Sequence, residues 1–249
     1  MREKIIKELK KIEEQEQVKI ILAVESGSRA WGFASKDSDY DVRFIYVRKM
    51  EDYLKLEKVR DVIEWHLDDE LDINGWDIKK MLQLLHNSNP TVFEWFSSPI
   101  VYLKRDEANI IQEIMPEYFS VKNGLYHYCN TAESNYREYL KTDDVRIKKY
   151  FYVLRPLLAA KWILDKKTAP PILFDDLVKA VADKELVPEI EKLLILKKNS
   201  SELGIGPKIK VFNDYFDNEL PRLKEIAREY KEKETDIEKL NKIFLEIII

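Results

Sequence analysis

The hydrophobic pattern of this chain changes its period near Asp77, and this change constrains the fold more than any other feature of the sequence. Before it, Val18 to Val24 is an apolar run rich in β-branched residues, and Asp39 to Val47 alternates polar and apolar residues. Both patterns predict strands, as do residues 59–67 and 71–76. Beyond Asp77 the apolar residues recur at helical spacing. Strands followed by helices predict an α+β protein rather than a repeating βαβ fold.

Helices are predicted on both sides of the strand-rich segment. Residues 1–17 have the pattern of an amphipathic helix, and Asp77 suits the N-cap of the helix that follows it. Beyond Pro99 nearly every segment is predicted to be helical. The predicted helices there are 105–115, 116–140, 143–165, 174–183, 188–198, 207–233 and 235–248. We therefore expect an N-terminal domain of residues 1–100 and a helical domain of residues 101–249.

Composition favours a globular protein of the cytoplasm. The 249 residues are 45% hydrophobic and 35% charged, which excludes disordered and collagen-like chains. The formal net charge is −4, so contact with nucleic acid would need a local basic cluster. Cys129 has no second cysteine for an internal disulfide, which favours a reducing compartment. The charged first 17 residues lack the apolar core of a signal peptide, and we expect no membrane partner.

The segment most suited to chemistry joins the first two predicted strands. Ser26, Gly27 and Ser28 follow the buried strand, where a glycine lets a ligand approach and free N–H groups with a hydroxyl favour a phosphate. Asp39 and Asp41 lie at i and i+2 of the next strand, so their carboxylates share one face about 6 to 7 Å apart. A divalent cation would offset their repulsion. A Gly-Ser after a strand, or an Asp-x-Asp at the start of one, is by itself more often part of an ordinary turn. The combination of the two motifs indicates a functional site.

This combination resembles the DNA polymerase β-like nucleotidyltransferase superfamily, whose signature is Gly-Ser followed by Asp-hydrophobic-Asp on the next strand. Residues 25–33, 38–44 and 89–95 are similar to one branch, the nucleotidyltransferases associated with RNA repair, and residues 148–162 extend the similarity. The resemblance implies a mixed sheet with flanking helices and a C-terminal helical domain. It also implies an active site in the cleft between the two.

The resemblance further implies that a third carboxylate joins Asp39 and Asp41 in holding two Mg²⁺ (or Mn²⁺) ions. Asp72 is the favoured candidate, because it lies between apolar neighbours in a predicted strand. Asp77 is the alternative, although the N-cap position already accounts for it. Glu64 in the preceding strand is a weaker candidate. The implied reaction transfers a nucleoside monophosphate from an NTP to an acceptor hydroxyl and releases pyrophosphate.

A set of basic and loop residues is predicted to bind the nucleotide. The set is Gly27, Ser28, Arg29, Arg43, Lys148, Tyr152 and Arg155. Arg29 and Arg43 suit phosphate because the guanidinium binds oxyanions through two donors, but internal salt bridges to nearby acids are an equal alternative. Lys148, Tyr152 and Arg155 share one face of a predicted helix. We expect this face to contact a triphosphate or an RNA backbone; the alternative is a solvated basic face.

The resemblance leaves the acceptor open. The similarity to the RNA repair branch suggests an RNA 3′ end, whereas a protein or small-molecule hydroxyl would use the same three acids. The competing class of function is a catalytically inactive module that binds a nucleotide or RNA on the same fold. The intact pair of Asp39 and Asp41 argues against it, because such a module has no use for unneutralised carboxylates.

Overall fold

In the computed structural model of the chain, residues 1–35, 38–68, 70–199 and 204–249 are described, without the side chains of residues 66–68, 198 and 199. The elements, in chain order, are α1 (Arg2–Glu16), β1 (Lys19–Glu25), α2 (Gly27–Ala30), β2 (Tyr40–Val47), α3 (Met50–Tyr53), β3 (Val62–Asp68), β4 (Leu71–Asp77), α4 (Ile78–His86), α5 (Pro90–Phe96), β5 (Val101–Lys104), α6 (Asp106–Tyr118), α7 (Val121–Tyr139), β6 (Asp144–Arg146), α8 (Lys149–Lys166), α9 (Phe174–Val181), α10 (Val187–Asn199), β7 (Ile205–Pro207), α11 (Lys210–Glu229) and α12 (Ile237–Ile248). The predicted α+β class is confirmed.

One mixed sheet forms the centre of the strand-rich part, in the order β3-β4-β2-β1-β5. β2 and β4 run parallel, and the other neighbouring strands run antiparallel. Apart from Lys19, every residue of β1 is buried. The strand lies between two others, which explains its continuous apolar sequence. The four strands predicted before Asp77 are all present, with bounds shifted by a few residues.

The expectation that nearly everything beyond Pro99 is helical is wrong at β5 and at the small β6-β7 pair. β5 pairs with the free edge of β1, with Leu22 opposite Lys104. The predicted helix 143–165 begins only at Lys149, because β6 precedes it and pairs with β7. Strands this short carry too little pattern of their own, and a partner edge decides them.

Two compact units divide the chain. The first, here called the sheet unit, comprises Met1–Ala30, Ser38–Tyr118 and Glu234–Ile249; the second, the helical unit, comprises Trp31–Asp37 and Phe119–Lys233. α12 packs against α4, so the end of the chain belongs with the sheet. The predicted domain boundary after residue 100 stays a prediction. In the structure, β5, α6 and α12, which all lie beyond that boundary in the sequence, pack in the sheet unit.

α8 is the central helix of the helical unit and packs against α7, α9 and α11. The buried side chain of Asn213 on α11 joins the same core. Its Nδ2 donates to the carbonyl of Leu140 at 2.8 Å, and its Oδ1 accepts from Tyr150 Oη at 2.8 Å. These bonds satisfy the polar atoms that burial removes from water. Within the described ranges, no helix has both the length and the apolar character needed to cross a membrane.

Candidate active site

The parallel pair of β2 and β4 brings two of the predicted acids together. Asp41 lies directly opposite Asp72 in the register, and Arg43 lies beside both. Arg43 Nη2 donates to Asp41 Oδ1 at 3.2 Å and to Asp72 Oδ2 at 2.8 Å. Its Nη1 donates to the carbonyls of Val42 and Asp72 at 3.0 and 3.3 Å. Of the two alternatives for Arg43, the structure has the internal ion pair; phosphate binding stays a prediction.

The electrostatics of this pair favour positive charge beside Asp41. Burial raises the pKa of Asp41; Arg43 lowers it, and the charges of Asp72 and Asp39 raise it again. The side chains of Asp41 and Asp72 remain 34% and 39% exposed, so a ligand can reach both. A cation at this position would stabilise the ionised carboxylates that burial and repulsion disfavour.

Asp39 lies just before β2, in a segment that Arg29 holds through the main chain. Arg29 Nη2 donates to the carbonyl of Ser38 at 2.6 Å, and Nε donates to the carbonyl of Asp39 at 3.2 Å. The guanidinium also stacks 3.6 Å from the ring centroid of Tyr40. Among the described residues, no three His, Cys, Asp or Glu side chains form a ready-made metal site. The role of Asp39 as a metal ligand therefore stays a prediction.

Gly27, the first residue of α2, packs directly against the carboxylate of Asp41. Its φ is +60°, and a Cβ at this position would lie 2.0 Å from Asp41 Oδ2. The N–H of Ser26 donates to the carbonyl of Asp41 at 2.8 Å. Ser28 is the next residue of α2. The predicted phosphate loop and the predicted acid pair are thus neighbours in the sheet unit.

Asp77, the alternative third carboxylate, lies at the other end of β4, about 16 Å along the strand from Asp72 at 3.3 Å per residue. Its Oδ1 accepts the backbone N–H of the second residue of α4 at 2.8 Å, and its Oδ2 accepts from Tyr53 Oη at 3.0 Å. The predicted N-cap is confirmed. Glu64, the weaker candidate, forms an exposed ion pair with Arg60 at 2.6 Å. Of the three candidates, Asp72 is the one that the register places opposite Asp41.

A change of stability with pH is expected from Asp77. Burial raises its pKa, although the N–H of α4 and the hydroxyl of Tyr53 lower it in part. The pKa of Asp77 in the folded protein lies above its value of about 3.9 in the unfolded chain. At pH values between these two pKa values, folding is accompanied by uptake of a proton. The free energy of unfolding therefore falls as the pH rises through that interval. Asp77→Asn still caps the helix but does not titrate. We expect this variant to match the wild type at about pH 3 and to be more stable at about pH 7. Urea unfolding at both pH values measures the difference, and equal differences at the two values would contradict the expectation.

Lys148, Tyr152 and Arg155 lie at the start of α8 in the helical unit. Lys148 occupies the N-cap position. Tyr152 packs edge-on against Trp31, with 6.0 Å between the ring centroids, and the guanidinium of Arg155 lies 4.5 Å from the Trp31 ring. Arg155 is buried, whereas Lys148 and Tyr152 are exposed, so the alternative of a solvated basic face fails for Arg155 alone. Their role in binding a nucleotide stays a prediction.

Lys197 on α10 is a notable basic residue of the helical unit that the sequence-based prediction does not include. Its Nζ lies 4.3 Å from the ring centroid of Phe33 and 5.3 Å from that of Phe151. Burial, together with the nearby charge of Lys148, lowers the pKa of Lys197 to about 8. The local sequence of α10 gives no signal for this environment, because Phe33 and Phe151 come from distant segments.

Glu25 is the main residue near Asp41 for which the sequence predicts no role. It ends β1 and is fully buried. Its Oε1 accepts the backbone N–H of Asp41 at 2.9 Å, and its Oε2 accepts the hydroxyl of Tyr102. Ser98 Oγ donates to its carbonyl at 2.6 Å. Burial raises the pKa of Glu25, while the bonds from Tyr102 and Asp41 lower it. The available signal was an acid at the end of a buried apolar strand, since glutamate is rarely buried without partners.

A family model described as the RNA repair pathway DNA polymerase beta family matches residues 1–246. The chain belongs to this family. Membership confirms the resemblance carried by the Gly-Ser and Asp-x-Asp motifs. It indicates a polymerase β-like nucleotidyltransferase, and hence a transferase.

Two further comparisons found a similar protein sequence and a solved structure with a weak likeness to this chain. The chain is 46% identical over 251 residues to "Uncharacterized protein YcgL" of Bacillus subtilis (strain 168). The match covers 100% of this chain and 96% of that protein. A nucleotidyltransferase-like protein from Exiguobacterium sibiricum 255-15, known from a crystal structure, shares 12% identity with a TM-score of 0.31. That match covers 90% of this chain and 74% of the other. Similarity at this level does not establish a common fold.

Proposed function

We propose that this protein transfers a nucleoside monophosphate from an NTP to the 3′ hydroxyl of an RNA, with release of pyrophosphate. The observation that carries the proposal is the pairing of Asp41 with Asp72 on adjacent parallel strands, with Gly27 packed against the Asp41 carboxylate. The description of the family as one of an RNA repair pathway supports RNA as the acceptor.

The acidic side chains of the candidate site are suitable ligands for Mg²⁺ or Mn²⁺. Asp39, Asp41 and Asp72 offer carboxylate oxygens, the ligands that these cations prefer. Burial and like charges raise the pKa of Asp41, which favours a cation beside it. We propose that these three acids hold two ions, which when bound would stabilise charge on the phosphoryl oxygens and lower the pKa of the acceptor hydroxyl.

The side chains of the protein have separate tasks in the proposed reaction. The acceptor oxygen forms a bond to the α-phosphorus, and the bond from that phosphorus to the bridging oxygen of the β-phosphate breaks. A carboxylate oxygen of Asp72 receives the proton of the acceptor hydroxyl. Arg43 orients this carboxylate through its 2.8 Å hydrogen bond. Pyrophosphate is the leaving group.

Nucleotide contacts complete the proposal. Gly27 and Ser28 are proposed to hold the β- and γ-phosphates, because a residue without Cβ leaves its backbone open to a ligand. The remaining proposed contacts are Arg29, Arg43, Lys148, Tyr152 and Arg155. Hydrogen bonds of Arg29 and Arg43, and the contacts of Tyr152 and Arg155 with Trp31, fix where these four side chains lie before a nucleotide binds.

Transfer of label from an NTP tests the proposal. The protein is incubated with each NTP labelled at the α-phosphate, with Mg²⁺ or Mn²⁺, and with pools of cellular RNA and protein. We expect label on RNA with the wild type and at least about a thousandfold less with Asp39→Ala plus Asp41→Ala, because the variant loses both acids of the motif. Asp175→Ala plus Asp176→Ala is the matched control and is expected to remain active, since it removes two exposed acids of α9.

The position of the label separates the alternatives. Label on protein or on a small molecule would keep the transferase and replace the acceptor. Absence of pyrophosphate release with every NTP and acceptor pool would contradict catalysis and favour the inactive binding module.

A further inference from the structure

We propose that Glu25 is a positioning residue that holds the main chain of Asp41 and thereby places the Asp41 carboxylate for its role in the transfer reaction. The proposal deepens the proposed function and rests on it for the meaning of that role. The contact between the two residues is tested separately from activity.

Three consecutive residues of the chain each make a different contact with Asp41. The Glu25 carboxylate accepts its N–H at 2.9 Å, and the Ser26 N–H donates to its carbonyl at 2.8 Å. The Cα of Gly27 lies against its carboxylate. The peptide groups on both sides of the Asp41 Cα are therefore held by Glu25, the last residue of β1, and by Ser26, which follows it. This leaves the Asp41 side chain few alternative positions.

The Glu25 side chain is itself held from the opposite side of β1. β1 lies between β2 and β5, and Tyr102 of β5 donates its hydroxyl to Glu25 Oε2. Ser98, just before β5, donates to the carbonyl of Glu25 at 2.6 Å. One carboxylate therefore connects the two strands that flank β1, with one oxygen facing each strand.

Burial alone does not explain a glutamate at this position. An apolar side chain would fill the same space without the cost of removing a carboxylate from water. It would, however, leave the N–H of Asp41 without the acceptor that Glu25 supplies. A glutamine keeps an oxygen at that position and an alanine does not, so the pair Glu25→Gln and Glu25→Ala separates the hydrogen bond from the charge.

Hydrogen exchange of the Asp41 amide, followed by NMR, is the direct test. We expect Glu25→Ala to raise the exchange rate of this amide at least about tenfold relative to the Ala23 and Phe44 amides, and Glu25→Gln to leave it near the wild-type rate. Tyr102→Phe, which releases only Oε2, is expected to give a smaller increase. Glu8→Ala is the matched control, because Glu8 is also buried but bonds to Lys11 and Trp65.

Kinetics provide the second measurement. We expect Glu25→Ala to lower kcat for label transfer about ten- to a hundredfold with little change in KM for the NTP. The Glu25→Gln variant is expected to have a kcat near that of the wild type. An unchanged Asp41 exchange rate in Glu25→Ala, or a Glu25→Gln variant as impaired as Glu25→Ala, would overturn the positioning role. If the wild type transfers no label, the proposed function fails while the exchange rates still decide the role of Glu25.

Discussion

Asp72→Asn is expected to lower the rate of nucleotidyl transfer by at least about a thousandfold while the protein stays folded. The amide cannot accept the proton of the acceptor hydroxyl, and it removes one of the charges proposed to hold the metal ions. The side chain is 39% exposed, and in the variant Arg43 keeps its bond to Asp41 at 3.2 Å, so the loss of stability is expected to be small. Initial rates of label transfer to RNA measure the activity, and the midpoint of urea unfolding measures the stability.

Asp77→Asn is the matched control for this prediction. It removes the other candidate acid of β4 but keeps an N-cap for α4, because asparagine caps helices about as well as aspartate. We expect its transfer rate to stay within about threefold of the wild type. The reverse result, with Asp77→Asn inactive and Asp72→Asn active, would assign the third carboxylate to Asp77.

Gly27→Ala is expected to lower the transfer rate by about a hundredfold or more and the free energy of unfolding by about 1 to 3 kcal/mol. Two causes act together. The backbone has a φ of +60°, which disfavours any side chain, and the added Cβ would lie 2.0 Å from Asp41 Oδ2. The carboxylate must move, and the main chain beneath it is held by Glu25 and Ser26. Displacement of this carboxylate, a proposed metal ligand, accounts for the expected loss of activity.

Gly32→Ala separates the two causes. Gly32 shares the left-handed backbone, with a φ of +85°, but its added Cβ would meet only a methyl of Leu173 at 3.1 Å. We expect Gly32→Ala to lose stability to a similar degree and to keep most of its transfer activity. If both variants lose activity equally, the contact between Gly27 and Asp41 is not what the reaction requires.

Much of the sheet unit follows from local sequence, because the patterns that predict its elements lie within each element. The period of two in β2 and β4, the apolar run of β1 and the N-cap at Asp77 are all visible without a partner. β5 was missed because four residues cannot show a period, and its pairing with β1 bridges about eighty residues of chain.

For the candidate site, the motifs predicted which residues belong together, but not their contacts. Gly27 and Asp41 were named from local motifs and Asp72 from the resemblance. The register between β2 and β4 then placed the two acids opposite each other. Arg43 had two equal alternatives, since nothing in its own segment tells a phosphate ligand from an ion pair. The structure shows the ion pair, formed with Asp72 across the sheet, while phosphate binding stays a prediction.

The sequence by itself determined the α+β class, the succession of the first four strands along the chain and the family to which the chain belongs. These depend on hydrophobic period and on short motifs, which are properties of neighbouring residues. Only the tertiary structure decided which charges pair, which acid lies opposite Asp41 and which groups Glu25 bonds to. Those contacts join residues from different strands, and their distances depend on how the strands pair and how deeply each side chain is buried.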